Sequence, residues 1–238
     1  MPCAATVAMF GGFLTLAAQG TTVIGTADDF PPFSFRDEIG THVGIDRDIG
    51  DEVCRRAQLT CEWAYAPFVE LVPGVEAGRF DMAISGIAST AERMDHVAFT
   101  PDYLISSQTE HEDPFIGRAS APPPELAMIG IQAGTIHEGF VKERKWNYRA
   151  VTSVDALIEG LEAGEFDLIF GSFDCDQSVR ELFDRGYVEA MRVTVGADGP
   201  AIAVCKEDQK LLADVTAALD AMAFDGTLSK IIRKWNGI

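Results

Sequence analysis

The segment that most constrains the fold spans residues 74–93, GVEAGRFDMAISGIASTAER, because its first half recurs 86 residues later as GLEAGEFDLIFGS over 160–172. Aligned without a gap, the copies share Gly74 with Gly160, Glu76 with Glu162, Ala77 with Ala163, Gly78 with Gly164, Phe80 with Phe166 and Asp81 with Asp167. Each copy describes one local structure. A helix ends, Gly78 or Gly164 takes the left-handed cap conformation that glycine adopts at least cost, and an apolar run comes next as a buried strand. Strands are thus predicted over 82–84 and 168–170. Solenoid repeats have periods of about 20 to 50 residues and recur many times. A pair at this wider spacing predicts two similar α/β lobes instead. Ligands of open α/β sheets bind beyond the carboxyl ends of the strands, so Ser85-Gly86 and Gly171-Ser172 are expected to face one cleft.

The residues just beyond the first copy bear on the ligand. Ser89-Thr90-Ala91-Glu92 has the form of a capping box, with Ser89 as N-cap and a helix from Thr90. Arg93 then lies in the first turn, where a cation opposes the helix dipole. Free amides and an arginine fork at a helix start suit a carboxylate or phosphate. The alternative is a surface arginine paired with Glu92 or Asp95. A second capping box, Thr135 with Glu138, comes after a strand predicted over 128–132, so a second helix start would face the first across the cleft. His137 there is either a pH-sensitive ligand contact or an exposed first-turn residue.

With 238 residues, 47% apolar and 24% charged, the chain is a folded protein with room for one large domain or two lobes. Its formal charge of -18 argues against nucleic acid or anionic lipid as a partner, since both need clustered Lys and Arg. Residues 3–18 are apolar and uncharged, and Ala17-Ala18-Gln19-Gly20 closes the run, the pattern of a secretory signal peptide. The run is shorter than the roughly 20 residues of a membrane span. Residues 1–20 are therefore excluded from the mature fold. Cys54 and Cys61, with six residues between them, suit a small disulfide loop in an exported protein, the alternative being two buried thiols. Cys175 and Cys205 either pair or stay free. The four histidines, at 42, 96, 111 and 137, are dispersed, so no metal site is expected, and no motif calls for a cofactor.

Along the chain, a strand over 22–25 leads into Asp28-Asp29-Phe30-Pro31-Pro32-Phe33, where two prolines stiffen the loop. Phe30 is a candidate ligand wall and Phe33 a core residue. A helix over 45–56 and a strand over 61–65 come next. A short helix over 69–77 opens at Pro67-Phe68, with Phe68 either core or a second ligand wall. Residues 96–103 read as a strand with a loop and 105–114 as a connector. Later come helices over 154–163 and 177–185, then strands over 191–195 and 200–204 flanking a hinge at 196–199. Two helices, 210–223 and 227–235, close the chain.

With these pieces in order, the chain resembles, along nearly its whole length, the periplasmic solute-binding proteins of polar amino-acid ABC transporters, the bacterial extracellular solute-binding proteins of family 3. The resemblance rests on GTADDFPPFSF at 25–35, GIDRDIGDEV at 44–53 and AGRFDMAISGIASTAERMDHVAFTPDY at 77–103, then GIQAGT at 130–135, AGEFD at 163–167, AIAVCKED at 201–208 and DGTLSKIIRKW at 225–235. It implies a type II, Venus-flytrap α/β fold with two crossover hinge strands. Residues 21–106 with 198–238 would form one lobe and 107–197 an inserted second lobe, closing over a ligand. By the same resemblance Phe30 and Phe68 sandwich the ligand side chain, and Arg93 with amides near Gly86 and Ala88 holds an α-carboxylate. Gln132, Thr135 and His137 contribute from the second lobe, with Ser85 and Ser172 at the strand ends. Several family members have a disulfide where Cys54 and Cys61 stand.

The departures from the family pattern are informative. Its two ammonium-binding aspartates are replaced by Ala27 and Ser172, and its usual hydroxyl by Ala88. An ammonium buried without a carboxylate costs several kcal/mol. Either Asp28, Asp29 or Asp174 substitutes, or the ligand is an acid with no α-ammonium. The primary reading is a monomeric, periplasmic, non-enzymatic protein that captures a small carboxylate-bearing solute for the membrane subunits of an ABC transporter. Its rivals are a cyclohexadienyl dehydratase-like enzyme, with Asp174, His137 or the aspartates near 28 as general acid, and a sensor or accessory subunit. Non-reducing peptide mapping of the secreted protein is expected to recover Cys54 joined to Cys61, and free thiols at both would undo the export assignment.

Overall fold

A computed structural model describes residues 20–104, 112–196 and 199–235. The signal-peptide expectation falls outside the described residues apart from Gly20, as do most of the expected connector and the centre of the expected hinge. The first stretch contains β1 (Thr22–Thr26), then a small antiparallel sheet of β2 (Asp29–Phe30), β3 (Ser34–Arg36) and β4 (His42–Val43). It continues with α1 (Ile45–Arg56), β5 (Cys61–Tyr65), a 3₁₀ turn (Phe68–Glu70), α2 (Leu71–Glu76), β6 (Met82–Ala83), α3 (Ala91–Met94) and β7 (Ala98–Phe99). The second stretch contains β8 (Glu112–Arg118), β9 (Ile129–Gln132), α4 (Ile136–Glu143), β10 (Tyr148–Val151), α5 (Val154–Glu162), β11 (Leu168–Phe170), α6 (Gln177–Asp184) and β12 (Tyr187–Thr194). The last contains β13 (Ala203–Val204), α7 (Gln209–Phe224) and α8 (Thr227–Trp235).

Two five-stranded sheets, ordered β5-β1-β6-β13-β7 and β10-β9-β11-β8-β12, make the two lobes of a type II binding-protein fold. In each, three neighbouring strands are parallel and the next pairs antiparallel to the third. That third strand, β6 or β11, belongs to the repeated segment. Strand residues alternate between two apolar layers, as a period of two requires. Ile169 packs with α5 and α6 through Leu157 and Leu182, whereas Leu168 and Phe170 pack with α4 through Val141. In the first lobe Ile24, Met82 and Ile84 join α1 and α7, and Ala83 joins Leu71 and Val75 of α2.

The shared residues of the repeat do the same work in both lobes. Gly78 and Gly164 have φ of +71° and +75°. Beyond each, a 6→1 hydrogen bond closes the helix end, Arg79 N–H to Gly74 O at 2.8 Å and Glu165 N–H to Gly160 O at 2.8 Å. The rings of Phe80 and Phe166 then fold back over two glycines each. A Cβ on Gly74 or Gly25 would lie 2.5 or 2.6 Å from Phe80, and one on Gly160 or Gly130 would lie 2.3 or 2.5 Å from Phe166. Asp81 and Asp167 accept the amides of Val23 at 2.7 Å and Met128 at 2.8 Å, fixing the start of the neighbouring strand.

Several expectations need correction. Thr90, not Ser89, caps α3, its hydroxyl accepting Arg93 N–H at 3.3 Å, while Ser89 Oγ donates to Asp102. The second capping box is not reciprocal: Thr135 Oγ1 donates to Gln132 O, and Glu138 takes Gly134 N–H at 2.8 Å. The helix expected over 69–77 begins as the 3₁₀ turn, because its first residues close i→i+3 bonds after Pro67. Strand β8 starts inside the expected connector, its polar ends masking a buried centre. Cys54 and Cys61 are disulfide-bonded, joining the end of α1 to the start of β5, whereas Cys175 and Cys205 are free.

Gly160→Ala tests the repeat's packing. Alanine is normally favoured within a helix by about 1 kcal/mol, yet here overpacking against Phe166, at the upper end of the usual cost of about 1–3 kcal/mol, is expected to outweigh that gain and lower Tm by several degrees. Thermal unfolding followed by circular dichroism measures this, and a variant as stable as the parent would refute the packing account.

Candidate functional site

Between the two sheets lies a cavity of about 80 Å³, room for several waters. The first lobe lines it with Asp29, Phe30, Phe68, Gly86, Ala88 and Arg93. From the second come Gln132, Thr135, Ile136, His137, Val154 and the run Phe170 to Phe173, with Asp176. The cleft is closed. Three hydrogen bonds among the described residues cross it: Arg93 Nη2–H to Gly134 O at 2.8 Å, and Gln132 Nε2–H and Val154 N–H to Asp29 Oδ2 at 3.0 and 3.3 Å. Gly134 allows the approach. Its φ is +77°, and a Cβ there would lie 2.9 Å from the Cα of Val69.

Arg93 extends across this cleft. Its guanidinium donates to Ala88 O at 2.7 Å as well as to Gly134 O, and lies 5.5 Å from the centre of the Phe68 ring. Neither Glu92 nor Asp95 forms a salt bridge with it among the described residues, so the surface-pair alternative falls away. Carbonyls satisfy donors but do not neutralise charge. Burial consequently pulls the Arg93 pKa down to about 10. The helix behind Arg93, α3, has only four residues, so its dipole adds little.

Two carboxylates share the cavity. Asp29 opens β2, two residues beyond the replaced family position Ala27, and Asp176 is the N-cap of α6, four beyond Ser172. Asp176 Oδ1 accepts Val179 N–H at 3.1 Å. Burial raises the pKa of both, partly offset by these backbone bonds. Asp29 takes both of its bonds on Oδ2, and Asp176 has the Ser178 amide beside it as well. The walls between these charges are aromatic and aliphatic: Phe30, Phe68, Phe170, Phe173, Ile136 and Val154.

Of the sequence candidates, Phe30, Phe68, Gly86, Ala88, Arg93, Gln132, Thr135, His137 and Ser172 all line the cavity. Ser85 does not. Fully buried beneath the wall, it accepts Ala27 N–H at 3.1 Å through Oγ. The Gly86 amide is also unavailable to a ligand, because it donates to Asp46 at 2.6 Å. His137 is buried rather than exposed, with Nε2 3.0 Å from Asp113 Oδ2 and its ring edge-on to Phe170. Asp28 and Asp174 fail as replacement carboxylates, since Asp28 pairs with Arg36 and Asp174 with Arg192 away from the cavity. Asp29 is among the sequence candidates, but Asp176 is not. Its signal is an N-cap aspartate directly before the helix that succeeds the cleft-facing end of β11. Among the described residues no group of three or more His, Cys, Asp or Glu side chains is arranged for a metal ion.

Comparison with known proteins agrees with this architecture. An arginine-binding periplasmic protein of Mannheimia haemolytica is 29% identical over 234 residues, covering 96% of this chain and 96% of the relative. A lysine/arginine/ornithine-binding periplasmic protein of Escherichia coli K12 is 27% identical, covering 92% and 88%. The crystal structure of a periplasmic His/Glu/Gln/Arg/opine family-binding protein from Silicibacter pomeroyi in complex with lysine superposes with a TM-score of 0.78 at 26% identity, covering 90% of this chain and 96% of that one. The family pattern itself matches residues 22–111 and 139–238. The chain therefore belongs to the bacterial extracellular solute-binding proteins, family 3.

Proposed function

We propose that this solute-binding protein captures a small α-amino acid in the periplasm, favouring one with a cationic side chain, and delivers it as a monomer to the membrane subunits of an ABC transporter. The observation that carries the reading is the charge pattern of the cavity: Arg93 opposed to Asp29 and Asp176, with apolar walls between. In this reading Arg93 holds the α-carboxylate, and Asp29 and Asp176 take the α-ammonium and a second cationic group. Phe30 and Phe68 flank the aliphatic part, Ala88, Gln132, Thr135, His137 and Ser172 complete the walls, and Gly86 shapes the turn beside Phe30. The lobes comprise 21–106 with 198–238 and the inserted 107–197, a division supported by the strand membership of the two sheets. Relatives named for arginine and lysine support the ligand class, and their periplasmic names support the location, with residues 1–20 as the export signal.

A second reading has one observation in its favour. A carboxyl group whose pKa is raised by burial in a cleft is what a general acid requires, and Asp29 and Asp176 both fit. This favours a dehydratase-like activity, and turnover of prephenate by the purified protein would establish it. Without turnover, transport binding stands.

A thermal-shift screen pairing each α-amino acid with its deaminated acid tests the ligand class. Saturation at a hundred times Kd adds about 2.7 kcal/mol, a shift of roughly 5 to 11 °C. Shifts by basic amino acids alone are expected, and equal shifts by the deaminated acids would remove the ammonium site. Arg93→Ala is expected to weaken binding of the best ligand by about 2–5 kcal/mol, roughly 30- to several-thousand-fold, in isothermal titration. Unchanged affinity would remove the carboxylate site.

Asp176→Asn separates function from stability. A raised folded pKa favours the fold below the ordinary carboxylate value of 3.8, and that contribution is lost as pH rises through the folded value. Asparagine still caps a helix but carries no charge to desolvate. The variant is expected to have a higher Tm than the parent at pH 7, a smaller advantage at pH 4, and weakened ligand binding throughout. A Tm advantage independent of pH would contradict this account of Asp176.

A further inference from the structure

Asp46 is fully buried near the start of α1 and does not line the cavity. Its two oxygens nevertheless connect two functional parts of the lobe. Oδ2 accepts the Gly86 N–H at 2.6 Å, and Oδ1 accepts the Tyr103 O–H at 2.7 Å. Gly86 is cavity wall. Its φ is +60°, and a Cβ there would lie 2.7 Å from the Phe30 ring, so any rotation of this turn moves the wall. Tyr103 lies where the chain leaves the first lobe and where it returns. Its amide donates to Pro200 O at 3.0 Å, and the adjacent Asp102 takes Gly199 N–H at 2.9 Å and Ser89 Oγ at 3.3 Å.

We propose that Asp46 is a positioning residue of the binding cleft, joining the Gly86 wall to Tyr103 at the interlobe joint so that wall and joint hold one geometry. The inference rests on the cleft being the solute site. Packing alone does not account for an acid here. A buried carboxylate with no cation beside it is costly, and a plain apolar side chain would leave Gly86 N–H without its acceptor. Tyr103 is the titratable group facing Asp46, with Asp102 beyond it. Both hydrogen bonds to Asp46 point inward, the arrangement of an ionised carboxylate. On protonation the carboxyl still accepts Gly86 N–H through its carbonyl oxygen while its own O–H can donate to the Tyr103 hydroxyl, so both contacts survive in neutral form. Desolvation raises the Asp46 pKa to about 7, despite the opposing bonds from Tyr103 and Gly86. By linkage the buried joint is favoured by protonation of Asp46, so it would tighten as pH falls through neutrality and loosen above it, and solute affinity with it.

Two measurements test the link. In ligand-free protein at pH 8, Tyr103→Phe removes one hydroxyl remote from the cavity. Hydrogen–deuterium exchange is expected to quicken several-fold over 83–88 as well as over 98–104, with 129–132 in the second lobe unchanged. In calorimetric titrations with L-arginine as probe, the wild type is expected to gain affinity at least threefold from pH 8 to pH 6, and Asp46→Asn to show a flat profile. Unaltered exchange over 83–88 in Tyr103→Phe, or a pH profile that Asp46→Asn leaves intact, would overturn the proposal. Should L-arginine not bind the wild type at any pH, the ligand reading fails and the exchange result alone decides the link. Should Asp46→Asn not fold, Tyr103→Phe decides it by exchange and by its own loss of L-arginine affinity at pH 8.

Discussion

Closing two lobes over a guanidinium and two carboxylates removes charge from water without a direct ion pair to any of the three among the described residues, and much of the cleft is shaped by that constraint. Arg93 is satisfied as a donor by Ala88 O and Gly134 O, but burial outweighs the attraction of Glu92, which its lowered pKa reflects. Asp29 and Asp176 are in the converse position, held by amides and pushed toward protonation. Taking an ion from water costs several kcal/mol even after relaxation. A solute with complementary charges offsets part of that cost only when the lobes are together, so it favours the closed state by its differential affinity. Among the described residues, closure without solute is held by three hydrogen bonds across the cleft, each with one charged partner, a weaker tie.

The charges reach the cleft because the repeated segment builds both lobes alike. A glycine-capped helix turns the chain, a phenylalanine ring wedges against two glycines, and an aspartate fixes the start of the adjacent strand. Each central strand therefore emerges at the same depth, delivering Gly86 on one side and Gly171-Ser172 on the other to the cavity. The side chains that set this geometry, Phe80 and Phe166, do not line the cleft cavity. Their consequence is felt one strand length away.

This part of the fold is legible in the sequence because its determinants are local. Glycine caps, the pair of repeats and the strand ends can be read from neighbouring residues, and the strand over 61–65 and the helix over 227–235 agree with Cys61–Tyr65 and Thr227–Trp235. The features that escape such reading depend on distant partners. The Gly86 amide reads as a ligand donor until Asp46, 40 residues earlier, takes it. Ser85 reads as a cleft hydroxyl until the Ala27 amide claims it. The hairpin sheet of β2 to β4 reads as loop because its strands have two or three residues each, too short for periodicity. Asp176 is hidden for the opposite reason: N-cap aspartate is so ordinary a role that it conceals a second one, facing the cavity.

The replaced aspartates at 27 and 172 acquire a physical sense from where the cavity carboxylates stand. Position 27 is buried just beyond β1, its amide and carbonyl already committed to Ser85 and Ser34. Asp29 lies further along, where the β2–β3 pairing orients it and the second lobe can reach it. Asp176 is held by the first turn of α6 rather than by a strand end. Both carboxylates thus depend on elements that a strand-tip aspartate does not need, and Asp29 acquires its second-lobe partners only when the lobes meet. A cation bound between them would read closure itself, so discrimination among amines here should track the separation of two carboxylates set by lobe packing.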